Sequence, residues 1–207
     1  VFGAVGTAGQ RCTTTRRVIV HESRFEELRE TLVNAYTQVR IGDPLDQTSQ
    51  IGAINSLRQL EQSLGFVDTA QKEGASLYRG GSRILEETGG YYMEPTIITD
   101  VAPDHRVARE EVFGPVLAVT AFDSDEDALR IANSTDYGLA AGVWTSNLSR
   151  AHRMVAGIRA GVVHVNTYGG SDNTVPLGGV KQSGLGREGS HHGIEDYLEM
   201  KYICMSV

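Results

Sequence analysis

The chain has 207 residues, of which 40% are hydrophobic and 22% are charged, and its formal net charge is −7 at pH 7. This composition is typical of a soluble globular protein that is large enough to bury a core. The negative charge argues against a nucleic-acid binder, which needs a basic face, and against a protein of the membrane surface. No apolar run in the sequence approaches the roughly 20 residues that span a bilayer.

The two cysteines, Cys12 and Cys204, lie far apart in the sequence and do not form a disulfide framework. We therefore expect a reducing, cytoplasmic compartment. The sequence starts at Val1, and its opening VFGAVGTAG lacks the basic start and long apolar middle of a signal peptide. We expect it to be a fragment or a processed piece of a longer protein.

The first predicted strand is the β-branched run RRVIVHE. Ser23 follows it and predicts the N-terminus of a helix, because a glutamate stands three residues later at capping-box spacing. Apolar residues continue at helical spacing to Val39, and Gly42 marks the end of this helix. A second helix is predicted over residues 56–73.

The rest of the chain alternates strands with helices. Ser124 and Asn147 each have the position of a helix N-cap. The predicted strands lie in ASLYRGG, EPTIITDV, GPVLAVTAFDS, YGLAAGVWTS and GVVHVNTY, and a last strand lies in the tail DYLEMKYICMSV. Alternation together with continuous apolar runs predicts an α/β fold, with a mostly parallel sheet flanked by helices.

Cys12 stands in GTAGQRCTTTRR, which we interpret as a flexible polar turn. A free cysteine is most often a small buried apolar residue, but these neighbours are unusual for a core. Arg11, Arg16 and Arg17 would favour a thiolate if any of them points at the sulfur. A reactive thiol and a structural one both remain open on these residues alone. Cys204, in the apolar tail, is interpreted as structural.

Three other patterns have ordinary explanations. GLGREG matches G-x-G-x-x-G, but no apolar strand precedes it and too little chain follows for a dinucleotide-binding unit, so we interpret it as a glycine-rich loop. His191 and His192 are adjacent, should point apart and lack a carboxylate at ligand spacing, so we expect no metal. Glu110 and Glu111 are either a catalytic carboxylate pair or two solvated charges.

Three segments in order resemble one family. GQRC resembles the active-site cysteine segment of NAD(P)-dependent aldehyde dehydrogenases, EEVFGPV their cofactor-contacting motif, and VNTY with VPLGGVKQSGLGRE their active-site loop. The resemblance covers essentially the whole chain. AVGTAGQRCTTTRR is most similar to the semialdehyde-oxidising relatives of lysine breakdown, and GLGREGSHHGIEDYLEMKY to succinate-semialdehyde dehydrogenases. Both hints imply an aldehyde, and more narrowly a semialdehyde, but they disagree on which one.

The resemblance implies a role for each matching residue. Cys12 would be the nucleophile, and its backbone N–H would help to hold the oxyanion of a thiohemiacetal. Glu111 would hold the ribose of NAD or NADP, and Phe113 would pack against the nicotinamide. The residues expected around the substrate are Arg11, Thr13, Asn166, Tyr168 and Leu177. Leu177 departs from the phenylalanine that is common in the family.

The resemblance also implies what lies elsewhere. The family's general-base glutamate and main cofactor-binding domain precede its cysteine segment, so we expect a catalytic domain over residues 1–193 and a C-terminal oligomerisation strand over residues 194–207. This chain alone should then show no NAD-dependent turnover. We expect a homodimer or homotetramer through the tail strand. A non-catalytic oligomerisation fragment of the same fold is the alternative, and a cysteine hydrolase ranks last.

Overall fold

The structure is a computed structural model and describes residues 1–170 and 172–207. They form two compact units, Val1–Thr135 and Asp136–Val207. The helices of the first unit are α1 (Phe2–Val5), α2 (Phe25–Tyr36), α3 (Leu57–Lys72), α4 (Arg106–Arg109) and α5 (Asp125–Ala132), with 3₁₀ turns at Gly6–Gly9, Glu22–Arg24 and Glu86–Thr88. Its strands are β1 (Arg17–His21), β2 (Ser76–Arg79), β3 (Arg83–Ile84), β4 (Tyr92–Met93), β5 (Thr96–Thr99) and β6 (Val116–Phe122).

The sheet of the first unit has the strand order β1-β6-β5-β2. β6 runs parallel to both of its neighbours, and β2 is antiparallel at one edge. β3 and β4 form a separate antiparallel pair. The predicted α/β fold with a mostly parallel sheet is confirmed.

The centre of this sheet is covered on both faces. The four consecutive residues Val116–Val119 of β6 are each 1% exposed, and Ile97 and Ile98 of β5 are fully buried. Because successive side chains of a strand point to opposite faces, such a run can be buried only if both faces are packed. α3 contributes Phe66 and other buried side chains to the same core. The continuous apolar runs predicted this arrangement correctly.

The start of α2 differs from the prediction. Residues Glu22–Arg24 form a 3₁₀ turn, and α2 begins only at Phe25. The Ser23 side chain is not the N-cap; its backbone N–H donates instead to Nδ1 of His21, at 3.2 Å. A histidine side chain thus caps the preceding turn, which the capping-box spacing does not reveal.

The end of α2 also comes earlier than predicted. The helix ends at Tyr36, and the chain does not continue as helix to Gly42. The carbonyl of Arg40 accepts hydrogen bonds from the backbone N–H groups of Gln50 and Ile51, and Gly42 donates to Ile51. Thr37 and Gln38 form a turn, and residues 40–42 then pair with residues 50–51, a contact between separate parts of the sequence.

The second unit is smaller. Its elements are β7 (Ala140–Val143), α6 (Leu148–Gly157), β8 (Val162–Val165), a 3₁₀ turn at Lys181–Ser183 and α7 (His192–Glu195). β7 and β8 pair in parallel, with α6 as the connecting helix. The Asn147 side chain accepts from the Arg150 N–H at 2.9 Å, so it is the helix N-cap, as predicted. Ser56 and Ser124 cap α3 and α5 in the same way.

The tail has a different character from the strands. Residues 198–207 contain no strand within the part of the chain that the structure describes, and they are exposed. The large apolar side chains Tyr202, Ile203 and Met205 are 89%, 68% and 83% exposed. The predicted strand is not formed inside the chain; as a strand made with a second subunit it stays a prediction.

Candidate active site

Cys12 lies at the tip of a tight turn and is exposed. The N–H of Arg11 donates to Oγ1 of Thr14 at 3.0 Å, and the N–H of Thr14 donates to the carbonyl of Arg11 at 3.1 Å. These reciprocal bonds close the turn and leave Cys12 and Thr13 at its two central positions. Thr14 is buried and anchors the turn to the body of the unit. A thiol held in this way faces solvent on a defined backbone.

The backbone N–H of Cys12 is available to a ligand. Within residues 1–170 and 172–207 it has no hydrogen-bond acceptor. An exposed N–H beside a thiol can donate to an oxygen that becomes negative when the sulfur attacks a carbonyl carbon. That the N–H of Cys12 serves as the oxyanion donor stays a prediction.

The segment before Cys12 is constrained, which corrects its interpretation as flexible. Thr7, Ala8 and Gly9 have positive φ angles of 55°, 53° and 71°, and Gly9 is buried. A Cβ atom on Gly9 would overlap the carbonyl of Gly114. The glycine is needed both for its left-handed conformation and for this close approach of two backbones. The side chain of Gln10 also accepts from the N–H of Asn55 at 2.9 Å.

The segment that contacts Gly9 is the predicted cofactor-binding motif. Gly114 is packed between Gly9 and Ser63 of α3, and Gln59 of α3 donates to the carbonyl of Val112 at 2.9 Å. Phe113, between these two anchored positions, has a φ of 57°. The motif is therefore fixed against α3 on one side and against the cysteine segment on the other.

The three arginines near Cys12 have structural partners. Arg11 stacks over the ring of Phe2 at 4.6 Å and donates to Oγ1 of Thr7. Arg17 donates to the carbonyls of Ile131 and Ala132, at 3.0 and 2.9 Å, at the C-terminus of α5. Burial lowers the pKa of the Arg17 guanidinium. These contacts give Arg11 and Arg17 roles in the fold, rather than the thiolate-stabilising role that the sequence suggested.

Arg16 connects the two motifs. Its Nη2 lies 2.9 Å from Oε1 of Glu111, and its guanidinium lies 5.3 Å from the centre of the Phe113 ring. The same group donates to the carbonyls of Arg11 and Thr14, at 2.9 and 3.0 Å. Sequence reasoning noted Arg16 only as a possible neighbour of the sulfur. It missed the bridge, because nothing in the local sequence indicates a partner so far along the chain.

The paired glutamates have separate partners. Glu110 forms an exposed ion pair with Arg106 at 2.9 Å, whereas Glu111 pairs with Arg16. Glu111 keeps a side-chain exposure of 40%. Glu111 thus stands beside the cysteine turn and Glu110 does not, so they do not act as a carboxylate pair.

Asn166, in the second unit, has a clear local role. It follows β8 with a φ of 54°. Its Oδ1 accepts from the N–H of Thr145 and its Nδ2 donates to the carbonyl of Thr145, both at 2.9 Å. The side-chain amide therefore extends the β7–β8 pairing beyond the last strand residue. Asn166 thus has a local structural role at the end of β8.

Leu177 and Tyr168 are half-buried in the loops that follow β8. Leu177 exchanges both backbone hydrogen bonds with Glu188, at 2.8 Å each. Glu188 belongs to the segment GLGREG. Among the described residues this segment forms a loop with no strand leading into it, as predicted. That Asn166, Tyr168 and Leu177 line a substrate pocket stays a prediction.

The two adjacent histidines do not point apart and do have a carboxylate nearby, so both of these predictions were wrong. The rings of His191 and His192 lie 3.9 Å apart, and a carboxylate oxygen of Glu195 is 3.5 Å from Nδ1 of His192. His191 stands just before the one-turn helix α7, where the pointing-apart rule for regular helices and strands does not hold. All three side chains are exposed. The absence of a metal from the protein's chemistry stays a prediction.

No helix among residues 1–170 and 172–207 combines the length and apolar character needed to cross a bilayer.

Comparisons with known proteins concern the family and the fold. The family model described as "Aldehyde dehydrogenase family" matches residues 1–203. The peroxisomal aminoaldehyde dehydrogenase 1 of Pisum sativum is 42% identical over 203 residues, which are 98% of this chain and 40% of the relative. The solved aldehyde dehydrogenase KauB of Pseudomonas aeruginosa is 45% identical with a TM-score of 0.92, covering 96% of this chain and 41% of that one.

A betaine aldehyde dehydrogenase of Staphylococcus aureus, crystallised with NAD+, is 32% identical with a TM-score of 0.91 and matches 94% of this chain and 39% of its own. This chain therefore spans about two fifths of the length of these relatives. The family match over nearly every residue and the agreement of the backbones lead to one conclusion. The chain belongs to the aldehyde dehydrogenase family.

Proposed function

We propose that this chain carries the catalytic cysteine of an enzyme that oxidises an aldehyde, more narrowly a semialdehyde, to the carboxylic acid with NAD or NADP. One observation carries the proposal. The exposed Cys12 lies on a turn whose backbone and arginine contacts fix it beside Glu111 and Phe113. Family membership supports the same reaction.

Cys12 is the proposed nucleophile. Its thiolate adds to the carbonyl carbon, a C–S bond forms, and the carbonyl electron pair moves to oxygen. The N–H of Cys12, which has no acceptor among the described residues, donates to this oxyanion. When the C=O bond re-forms, hydride leaves the carbon and a thioester remains on the sulfur. Water then hydrolyses the thioester, which releases the acid and regenerates the thiol.

Glu111 and Phe113 are the proposed cofactor contacts. The Glu111 carboxylate is 40% exposed, so it can accept hydrogen bonds from ribose hydroxyls. The Phe113 ring offers a flat apolar face of the kind on which a nicotinamide can pack. Bound NAD or NADP supplies the hydride acceptor. The residues fit the cofactor by their chemistry, and the NAD+ in the crystallised relative is consistent with this assignment.

Two groups of residues are proposed as substrate contacts. In the first unit, Arg11 and Thr13 flank Cys12 in the turn. In the second unit, the proposed substrate contacts are Asn166, Tyr168 and Leu177. The pea relative is named as an aminoaldehyde dehydrogenase, which supports an aldehyde as substrate.

The exposed tail is the proposed oligomerisation element. Tyr202, Ile203 and Met205 carry apolar side chains at high exposure, and the backbone from 198 to 207 is available for pairing. If this segment were added as a strand to the sheet of another subunit, its apolar side chains would be buried and its backbone would be paired. We propose a homodimer or homotetramer and a cytoplasmic location, although the pea relative is named peroxisomal.

The thiol chemistry is tested on the chain itself. An activated ester such as p-nitrophenyl acetate should acylate Cys12 faster than Cys204, as measured by peptide mass spectrometry, and Cys12→Ser should remove the fast phase. Equal acylation of both cysteines would favour the alternative, a non-catalytic oligomerisation fragment of the same fold.

Hydride transfer is tested at 340 nm on the intact protein isolated from its source, with semialdehydes and each cofactor. Absence of NADH or NADPH formation there would refute the oxidation.

A further inference from the structure

The Arg16 guanidinium contacts both the Cys12 turn and the segment of Glu111 and Phe113. It donates to the carbonyls of Arg11 and Thr14, which are the two ends of the Cys12 turn. It approaches the carbonyl of Cys12 itself at 3.5 Å. On its other side it pairs with Glu111 and faces the ring of Phe113.

This arrangement depends on the chemistry of arginine. The guanidinium is planar and offers five N–H donors in a fixed fork, so one group can serve a carboxylate and several carbonyls at once. The side chain of Arg16 is only 14% exposed, so these contacts are largely shielded from water. A lysine has one compact ammonium group and cannot span the same set of acceptors.

We propose that Arg16 is a positioning residue that holds the Glu111 carboxylate and the Cys12 turn in one fixed arrangement. The inference rests on the proposed function, because it takes Glu111 as a cofactor contact. Arg16 acts through the two motifs and does not itself react.

Two consequences follow from the contacts. Without Arg16 the exposed Glu111 side chain is free to rotate, and ordering it when the cofactor binds weakens affinity by roughly twofold to tenfold. Separately, the carbonyls of Arg11 and Thr14 lose donors, so the Cys12 turn opens more often and its amides exchange faster. Substitution of Glu111 should weaken cofactor affinity and leave amide exchange in the Cys12 turn almost unchanged.

The experiment uses the intact protein with five variants: Arg16→Gln, Arg16→Lys, Glu111→Gln, the double variant Arg16→Gln/Glu111→Gln, and the control Arg106→Gln. The control removes a similar arginine–glutamate pair, that of Arg106 with Glu110, which does not contact the cysteine turn. Calorimetry measures the dissociation constants of NAD+ and NADP+. Hydrogen exchange with mass spectrometry measures the amides of residues 11–15.

We expect Arg16→Gln to weaken cofactor binding about fivefold and to speed exchange in the turn about tenfold. Glu111→Gln should weaken binding at least as much without changing exchange. The double variant should bind no more weakly than Glu111→Gln alone, because Arg16 acts on the cofactor through Glu111. Arg16→Lys should partly restore either cofactor binding or slow exchange in the turn, but not both. Arg106→Gln should leave cofactor binding and exchange at the wild-type values.

The inference is overturned if the two substitutions weaken binding additively, or if Arg16→Gln changes neither property. These failures differ from failure of the proposed function. If the wild-type protein binds neither cofactor and labels Cys12 no faster than Cys204, the assigned site itself is wrong. If the wild-type protein passes both tests and the variants do not behave as expected, only the role of Arg16 is refuted.

Discussion

The two cysteines of this chain are both exposed, and they lie in very different surroundings. Cys12 lies on a turn closed by reciprocal hydrogen bonds and tied through Arg16 to a segment about a hundred residues later. Cys204 lies in a tail without a strand partner among the described residues. Cys204 was interpreted as a structural residue of a strand, but the described residues of the tail form no strand within the chain. The two cysteines therefore do not differ in exposure class, and they do differ in how firmly the surrounding backbone is held.

The substitution Cys12→Ser tests this comparison most directly. A serine hydroxyl is a far weaker nucleophile than a thiolate at neutral pH, so aldehyde oxidation by the intact protein should fall on the order of a thousandfold or more. Cys204→Ser should leave the rate unchanged. Initial rates at 340 nm provide the measurement. Comparable losses in both variants would remove the distinction between the two cysteines.

Gly9→Ala tests how firmly the turn segment is held. A Cβ on residue 9 would overlap the Gly114 backbone, and the φ of 71° at this position disfavours any side chain. We therefore expect the free energy of unfolding to fall by about 3 kcal/mol. Gly74→Ala is the matched control. Gly74 has a φ of 100° but open space around it, so the loss should be about 1 kcal/mol. Urea denaturation followed by circular dichroism gives both values, and equal losses would show that the backbone contact does not matter.

Arg17→Gln separates fold stability from the site. Arg17 supplies donors and positive charge to the carbonyls at the C-terminus of α5, so its loss should lower the free energy of unfolding by about 1–2 kcal/mol. Thermal unfolding measures this effect. The rate of Cys12 acylation should stay at the wild-type value, because Arg17 binds α5 and not Glu111. A slower acylation would show that Arg17 also acts on the thiol.

Ile203→Asp has the smallest expected effect on the single chain. Ile203 is 68% exposed, so the free energy of unfolding should change by less than about 0.5 kcal/mol. If the tail joins subunits, the same substitution places a charge in an apolar contact and should raise the dissociation constant of the assembly at least about tenfold. Sedimentation of the intact protein measures this constant. An unchanged assembly would exclude the tail from the interface.

Much of the fold followed from local patterns. Ser124 and Asn147 are N-caps as predicted, because a cap depends on a hydrogen bond within three residues. The burial of Val116–Val119 followed from an apolar run without polar alternation. The boundaries of α2 were wrong because His21 and the pairing of residues 40–42 with 50–51 decide them. Those contacts leave no sign in the capping and periodicity patterns.

The sequence by itself determined the fold class, the family and the choice of Cys12 and Glu111 as the residues to examine. Motif order and residue type carry that information, because they reflect local chemistry. Only the tertiary structure showed that Gly9 packs on Gly114 and that Arg16 joins Glu111 to the cysteine turn. These are contacts between segments far apart in the chain, and the parallel sheet sets them by placing β1 beside β6. Whether one guanidinium serves a carboxylate and three carbonyls depends on distances that no local pattern encodes.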